Sequence, residues 1–321
     1  MPRLVDARQV EPVLGGLLGA VDVDGGPTDE QLLLLRALAT HVWGRPDLDP
    51  GVVTPLTPAE VTRAIGGTDA VRRFHYLLVV LELCRHPFSI TQEEKVEEYA
   101  AALHLDGMGL EFCRDLATRG IEAARADHDR FEANLRTEQQ EPRLRTRTPR
   151  DDLTDPELVE LVLAMESLPD GSLGRALIRF YADFGLSVPG ATASDLTYAF
   201  VAHDMNHVIA GYAPVADGEL ALGAFQMGMN DSEVSWILCL TNLAIHEAGV
   251  IQLGDIAPKT GTLGRPGVAD TFARALARGS QCTADFAVAD HLAVADRPLA
   301  EVRASFGVPP LDDGESGAPA T

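Results

Sequence analysis

Apolar residues recur along this chain at the three- and four-residue spacing of an α-helix, not at the alternating spacing of a β-strand. The clearest runs are Leu32, Leu35, Leu38 and Ala39; Phe74, Leu77, Leu78 and Leu81; and Leu158, Leu161, Val162 and Met165. No strong strand or hairpin pattern competes with them. The sequence therefore predicts an all-α fold.

Helix-start signals agree with this periodicity. Thr28 with Asp29 is expected to open the first helix, and Thr91 begins a Thr-Gln-Glu-Glu run. Residues 154–157, Thr-Asp-Pro-Glu, offer a cap, a first-turn proline and an acidic first turn. We expect helices to begin at these positions.

One segment interrupts the helical pattern. Residues 136–150 contain two prolines, five arginines and almost nothing apolar, so we expect a linker that contributes nothing to a core. It would join two helical domains, residues 1–135 and residues 151–310. The polar, small-residue tail at 311–321 is expected to be disordered.

The net charge of the chain limits the kinds of molecule that it is expected to bind. The 321 residues carry 26 Lys and Arg against 48 Asp and Glu, for a formal net charge of −22. Such a surface repels phosphate backbones and anionic headgroups, which argues against nucleic acid and against electrostatic docking to a membrane. Small, neutral or metal-assisted ligands suit this charge better.

Cysteine usage and the absence of long apolar runs point to a cytoplasmic protein. The four cysteines are far apart with no CxxC spacing, and acidic residues occupy the start of the chain, where a signal peptide needs an apolar run. The charge-free stretch at 234–245 is about half of the roughly 20 residues that span a bilayer. We expect no transmembrane helix.

The sequence HDMNH in the second half carries the strongest chemical signal. His203 and His207 are four residues apart, so on a helix both imidazoles project to the same side and can share one cation. Asp204 is near enough to ligate the cation or to orient an imidazole. The helix should stop near Gly211, and Glu219 then opens the next helix and can fold back to complete the site.

Two interpretations of these histidines remain open. They extend an apolar stripe and could be buried, hydrogen-bonded core residues. However, burying two imidazoles and a carboxylate on one facet without a cation or partners would cost several kcal/mol, on the order of the penalty for an unpaired buried polar group. Imidazole and carboxylate ligands suit Zn²⁺ or Fe²⁺, and the absence of a nearby cysteine favours an open coordination position.

Three ordered blocks resemble the coenzyme Q biosynthesis protein 4 family. HDMNH followed by eleven residues and Glu219 is similar to the family signature HDxxH-x(11)-E. Upstream, LPDGSLGRALIRFY (168–181) resembles its LP-x-G-T-x-G block, with Ser172 at the usual threonine. Downstream, residues 277–308 resemble its closing segment, with His291 at a position where an aromatic residue is usual.

The resemblance spans about residues 150–310 and implies a helical metalloprotein with a hydrophobic cleft for a prenylated aromatic ring. The reaction it implies is oxidative decarboxylation and hydroxylation of the ring carbon that bears the carboxylate. The metal ligands carried over are His203, Asp204, His207 and Glu219. The N-terminal segment SITQEEKVEEYAAALHLDG (89–107) resembles the helical tellurite-resistance TerB-like class, with His-Pro-Phe-Ser (86–89) in place of its acidic turn.

Other polar groups are candidates for supporting roles. His246 and Glu247 lie late in a helix that Asp231 is expected to cap. They could supply an acid or base to the metal, or they could form a polar helix end. Asp204 is a further candidate for the acid or base. Arg175 and Arg179, one turn apart, could hold a substrate carboxylate or pair with local acids.

Two large side chains after Glu219 are candidates for lining a substrate cleft. Phe225 and Trp236 suit that role by size and apolarity, and core packing is the competing role.

The sequence therefore predicts a protein that binds one divalent metal, zinc or iron, and acts on a hydroxylated aromatic or quinone-like precursor. Oxidative decarboxylation is the leading reaction, in specialised metabolism or in quinone synthesis. The alternatives are a non-catalytic polyprenyl-binding scaffold of a biosynthetic complex and a metal-assisted hydrolase or lyase. Peripheral membrane contact and a homo-oligomer are compatible with each.

Overall fold

The computed structural model describes residues 5–105, 141–144, 154–193, 197–252 and 256–311. These residues form twelve α-helices and no β-strand, which confirms the all-α prediction. The helices are α1 (Val10–Val21), α2 (Asp29–Ala37), α3 (Pro58–Ala64), α4 (Thr68–Leu83), α5 (Ile90–Ala102), α6 (Pro156–Leu163), α7 (Leu173–Phe184), α8 (Thr197–Ala210), α9 (Ala216–Met229), α10 (Glu233–His246), α11 (Val268–Gly279) and α12 (Leu299–Ser305). A π-helical turn (Leu38–Val42) continues α2, and 3₁₀ turns lie at Pro142–Leu144, Ala164–Ser167 and His291–Ala293.

The helix starts follow the capping signals with one shift. A helix starts at Thr28 as predicted, with a capping box to Gln31, but α1 precedes it, so the prediction that Thr28 opens the first helix was wrong. The cap of α5 is Ser89, whose side chain accepts from the Gln92 amide at 3.0 Å, so the prediction of a start at Thr91 was two residues late. Asp155 caps α6, and Pro156 takes the first helical position.

The chain forms two compact units, each assembled from two stretches. Unit 1 combines residues 1–124 with 223–280, and unit 2 combines 125–222 with 281–321. The boundary between 222 and 223 falls inside α9. The sequential domains expected at 1–135 and 151–310 stay a prediction.

Unit 1 is built around α1, which packs against α3, α4 and α5, while α4 also contacts α10. Helix α11 packs against α2 and its π-helical continuation. In unit 2, α7 contacts α6, α8 and α12, and α8 also contacts α12. Helix α7 therefore supports the helix that carries both motif histidines.

The segment expected to be a linker contributes to the interior of unit 2. Within residues 141–144, the part of this segment that the structure describes, Glu141 and Leu144 are both buried. The expectation that the segment contributes nothing to a core was therefore wrong for these residues. The rest of the linker, most of the tail and Cys113 lie outside the described residues.

Among the described residues, every helix falls short of the length or the apolarity that a bilayer crossing needs.

Two glycines in unit 1 allow α9 and α11 to approach closely. A Cβ on Gly279 would lie 2.0 Å from the Phe225 carbonyl oxygen, and one on Gly228 would lie 2.1 Å from the Leu276 carbonyl oxygen. Both obstacles are backbone atoms, which cannot turn aside. The crossing of the two helices therefore depends on glycine at both positions.

Gly279→Ala should lower the free energy of unfolding by about 3 kcal/mol, the upper end of the usual cost of overpacking, although alanine is the better helix former. The matched control is Gly66→Ala, where a Cβ would meet nothing within 4 Å. Its effect should stay within about 1 kcal/mol. Urea unfolding of the two variants measures both values, and equal stabilities would contradict the close crossing.

Candidate metal centre

The two motif histidines lie on α8, and the third member of the site begins the next helix. Helix α8 ends at Ala210, and Gly211 follows with a φ of 87°, a left-handed conformation that favours glycine. Glu219 lies in the first turn of α9. The predicted helix stop and the predicted place of Glu219 are both confirmed.

The three side chains converge. His203 Nε2 lies 3.1 Å from His207 Nε2 and 3.4 Å from Glu219 Oε2, and His207 Nε2 lies 3.2 Å from Glu219 Oε1. The His207 side chain is fully buried, that of Glu219 is 14% exposed and that of His203 is 33% exposed. The group therefore opens to solvent on the His203 side.

A backbone carbonyl sets the tautomer of His207. Its Nδ1 lies 3.0 Å from the carbonyl oxygen of Tyr212. A carbonyl can only accept, so Nδ1 carries the proton and donates it. With the proton held on Nδ1, Nε2 is the nitrogen that can present a lone pair toward His203 and Glu219.

The charges of the group are coupled. Burial opposes charge on His203, but the neighbouring Glu219 carboxylate outweighs it and raises the pKa of His203 to about 9. Burial likewise opposes charge on Glu219, while His207 and His203 together hold its pKa well below the usual range. A proton on His203 therefore balances the carboxylate at neutral pH.

These residues fit a divalent cation. Their candidate ligand atoms all lie within 4.8 Å of one another, the one such group of His, Cys, Asp and Glu found in the described parts of the chain. Donors on a tetrahedral zinc with bonds of about 2.0–2.1 Å are about 3.3 Å apart, so the nearest separations of 3.1–3.4 Å match a shared ion. A cation would also reduce the repulsion between the nitrogen lone pairs and the Glu219 carboxylate.

Asp204 faces a different partner. Its Oδ2 accepts a hydrogen bond of 2.9 Å from the hydroxyl of Tyr181 on α7. Burial raises the pKa of Asp204 to about 6, although His203, His207 and Tyr181 pull it down. Asp204 is not among the converging atoms, and its predicted role as a fourth ligand or as a catalytic group stays a prediction.

Aromatic rings line the imidazoles. The ring of Phe180 on α7 stacks on His207, with centroids 5.7 Å apart and an interplanar angle of 27°. Phe200 meets His203 edge to face at 6.3 Å. These apolar neighbours limit water around the histidines and leave the His203 side as the more accessible approach.

His246 and Glu247 lie at the end of α10, in unit 1. Glu247 is fully buried, and its carboxylate accepts from the Leu263 amide at 2.6 Å and lies 3.0 Å from His86 Nε2. The carbonyl of His246 accepts from the Thr262 hydroxyl. The metal group lies in unit 2, and the assignment of His246 and Glu247 as an acid or base at the metal stays a prediction.

The paired arginines of α7 meet a local acid. Arg179 Nη2 lies 2.9 Å from the Asp170 carboxylate, and Arg175 Nε lies 3.7 Å from it. Arg175 also donates to the carbonyl of Glu166. Both local pairings match the second role expected from the sequence, and substrate binding by these arginines stays a prediction.

Phe225 and Trp236 are fully buried in unit 1. Trp236 stacks on Tyr76 at 4.8 Å and donates to Asp231 at 2.6 Å. Contact of Phe225 and Trp236 with substrate stays a prediction.

The prediction that Asp231 caps α10 was wrong. Ser232 caps this helix, and the Asp231 carboxylate instead forms salt bridges with Arg72 and Arg73. Glu233 supplies an acidic residue in the first turn of α10.

Several supporting residues were not predicted. Tyr181 lies at the end of the quoted 168–181 block, but nothing in the sequence indicated that it would meet Asp204. Asn206 lies inside the motif, yet its partner His291 and the buried Glu141 come from distant segments. Long-range hydrogen bonds of this kind leave no local signal.

Comparisons with known proteins give a distant likeness among the solved structures. No family model matches the chain, and no curated protein matches it. A solved structure from Nostoc punctiforme PCC 73102, described as a candidate ubiquinone biosynthesis protein, is similar at 18% identity with a TM-score of 0.34. The match covers 73% of this chain and 97% of that chain. A score this low does not establish a shared fold.

The pKa of His203 predicts how the stability of the metal-free protein changes with pH. In the folded protein the pKa of His203 is about 9, above the ordinary 6.5. The stabilisation that protonated His203 contributes is therefore fully present below about pH 6.5 and is lost as pH rises through 9. In urea unfolding with a chelator, the wild-type protein should lose stability between about pH 6.5 and 9.5 relative to His203→Gln. Parallel curves for the two proteins would contradict the coupling to Glu219.

Proposed function

We propose that His203, His207 and Glu219 hold one divalent cation and that the protein is a metal-dependent enzyme. The observation that carries this proposal is the convergence of two imidazole Nε2 atoms and a carboxylate at 3.1–3.4 Å. Three protein ligands leave coordination positions for water or substrate, as in catalytic sites and unlike closed structural sites. The exposure of His203 puts an approach to those positions on the solvent side.

The donor set is compatible with two metals. Two histidines and one carboxylate bind zinc in hydrolytic enzymes and bind iron(II) in oxygenases. When bound, zinc would supply a Lewis acid, and iron would add redox chemistry. The protein's part is the same in both cases: Tyr212 fixes the tautomer of His207, and Phe180 and Phe200 keep the imidazoles in apolar surroundings.

The substrate we propose is a hydroxylated aromatic or quinone-like acid, and the leading reaction is oxidative decarboxylation. In this reaction the ring carbon loses its carboxyl group as carbon dioxide and gains a hydroxyl, a two-electron oxidation that uses dioxygen together with a two-electron donor. The support is the resemblance of the motif blocks, the phenolate-binding capacity of a cation and the aromatic side chains beside the imidazoles. Because the chain carries a net charge of −22, it would repel an acidic substrate unless a bound cation neutralised the carboxylate of that substrate.

A non-catalytic scaffold that binds a polyprenyl or aromatic compound is the second candidate. In that case the metal would hold α8 and α9 together, and removing it should unfold the protein. The side-chain anchors of α8 favour the enzyme instead, because Tyr181 and Arg303 already hold this helix through hydrogen bonds of 2.9 Å. A metal-assisted hydrolase or lyase shares the same site.

The metal itself is tested by elemental analysis. The wild-type protein should bind about one equivalent of zinc or iron, and His203→Ala should weaken binding by more than the 10–100-fold typical of an outer partner. The matched control is His104→Ala, which removes an exposed histidine of unit 1 and should bind like the wild type. Circular dichroism should show that chelated protein stays folded. Unfolding on chelation would favour the scaffold, and no uptake of metal would refute the proposal.

The protonated His203 makes metal uptake depend on pH. Because its pKa is about 9 in the metal-free protein, binding at pH 7 should release about one proton, and affinity should rise with pH up to that value. Calorimetry in two buffers with different protonation enthalpies measures the proton count. A count of zero would show that His203 does not ligate.

The reaction is tested with carboxyl-labelled 4-hydroxybenzoate-like acids, in air with a reductant, on separately zinc- and iron-loaded protein. Wild-type protein should release labelled carbon dioxide, and Glu219→Gln should lose at least about 100-fold of the rate while staying folded, comparable to losing one electrostatic group at an active site. His104→Ala should retain full activity. Binding of the acid without turnover in the wild type would favour the scaffold.

A further inference from the structure

A chain of buried polar side chains reaches α8 at Asn206, on a flank of the helix beside the two histidines. His291 Nε2 lies 3.0 Å from the amide oxygen of Asn206, and His291 Nδ1 lies 2.5 Å from the carboxylate of Glu141. Glu141 and His291 are fully buried, and Asn206 is 1% exposed. Burying such groups is costly unless each is held by a partner, as each is here.

The carboxylate fixes the direction of the His291 ring. Glu141 Oε1 accepts from the His291 backbone amide at 2.9 Å, and Oε2 accepts from the Leu292 amide at 3.4 Å. With its backbone and its Nδ1 both bound to Glu141, the imidazole has one remaining direction for Nε2, which is toward Asn206. The 3₁₀ turn His291–Ala293 thus presents a fixed polar contact to α8.

Asn206 is well placed to control the histidines. It immediately precedes His207, about 100° around the helix from it, so the contact with His291 resists rotation of α8 about its axis. Arg303 on α12 restrains the same helix at its end, where its guanidinium donates to the carbonyls of Val208 and Ile209, both at 2.9 Å. Rotation and axial position are therefore restrained by separate contacts.

The rotation of α8 about its axis matters because metal ligands must be placed accurately. The Cα atoms lie about 2.3 Å from the helix axis and the imidazole Nε2 atoms lie about 6–7 Å from it, so a 10° rotation moves each Nε2 by about 1 Å. Bonds to a metal tolerate deviations of only about 0.2 Å. His203 and His207 would move together relative to Glu219, which lies on another helix.

We propose that His291, backed by Glu141, is a positioning residue that holds Asn206 and so sets the rotation of α8 at which His203 and His207 meet Glu219. This inference rests on the proposed metal function and assigns to the closing segment of the chain a role in the geometry of the site. The side chain of His291 bonds to Glu141 and Asn206 and not to the ligand atoms. Its effect on the metal passes through α8.

The test compares two variants with a matched control. Asn206→Ala removes the contact to α8 and leaves the Glu141–His291 pair intact, while His291→Gln removes the imidazole. The control is His41→Gln, which breaks a histidine–carboxylate pair of unit 1, His41 with Asp270 at 2.9 Å. The measurements are cobalt(II) affinity by competition, the visible absorption spectrum of the cobalt form, and thermal unfolding of the metal-free protein.

Both Asn206→Ala and His291→Gln should weaken cobalt binding about 10–100-fold and change the cobalt spectrum, as loss of an outer partner does, while the control keeps both properties. Should His291→Gln fail to fold, Asn206→Ala decides. Variants that melt earlier but bind with wild-type affinity and spectrum would show a purely structural role and overturn the inference, with the proposed function intact. Wild-type protein that binds no cobalt, zinc or iron would refute the proposed function, and the inference would fail with it.

Discussion

The site depends on a positive charge held between the lone pair of His207 Nε2, the imidazole of His203 and the carboxylate of Glu219. The Tyr212 carbonyl takes the proton of His207 Nδ1, and this leaves Nε2 as an acceptor facing a second imidazole and a carboxylate. Three electron-rich groups at this separation repel one another unless something positive lies among them. That positive charge is either a proton on His203 or a cation shared by all three, and the two compete for the same place.

This condition follows from the backbone at the end of α8. Gly211 adopts a left-handed conformation, and the chain turns so that the Tyr212 carbonyl comes back to the ring of His207. A Cβ at Gly211 would be strained by its φ and would lie 2.6 Å from Leu311 Cδ1. The residue that stops the helix therefore also sets the tautomer of the buried ligand, which links helix termination directly to the chemistry of the site.

The sequence was informative where the determinants are local. Helical periodicity, the helix start at Thr28, the spacing of His203 and His207, the stop at Gly211 and the first-turn position of Glu219 all depend on residues a few positions apart. These features of the fold and of the site could be predicted for that reason.

The features that escaped prediction depend on distant partners. Asp231 is held by two arginines some 160 positions earlier in the chain instead of capping α10. Residues 141–144 belong to a segment with the composition of a linker. Glu141 is nevertheless buried, because the His291 side chain and two backbone amides form hydrogen bonds with its carboxylate. Composition alone could not reveal this, since the cost of burying a charge is decided by the partners that the fold supplies. A buried pair of polar side chains seldom adds net stability over apolar side chains of the same size, so the presence of Glu141 and His291 against α8 is better explained by the orientation they impose than by the free energy they contribute.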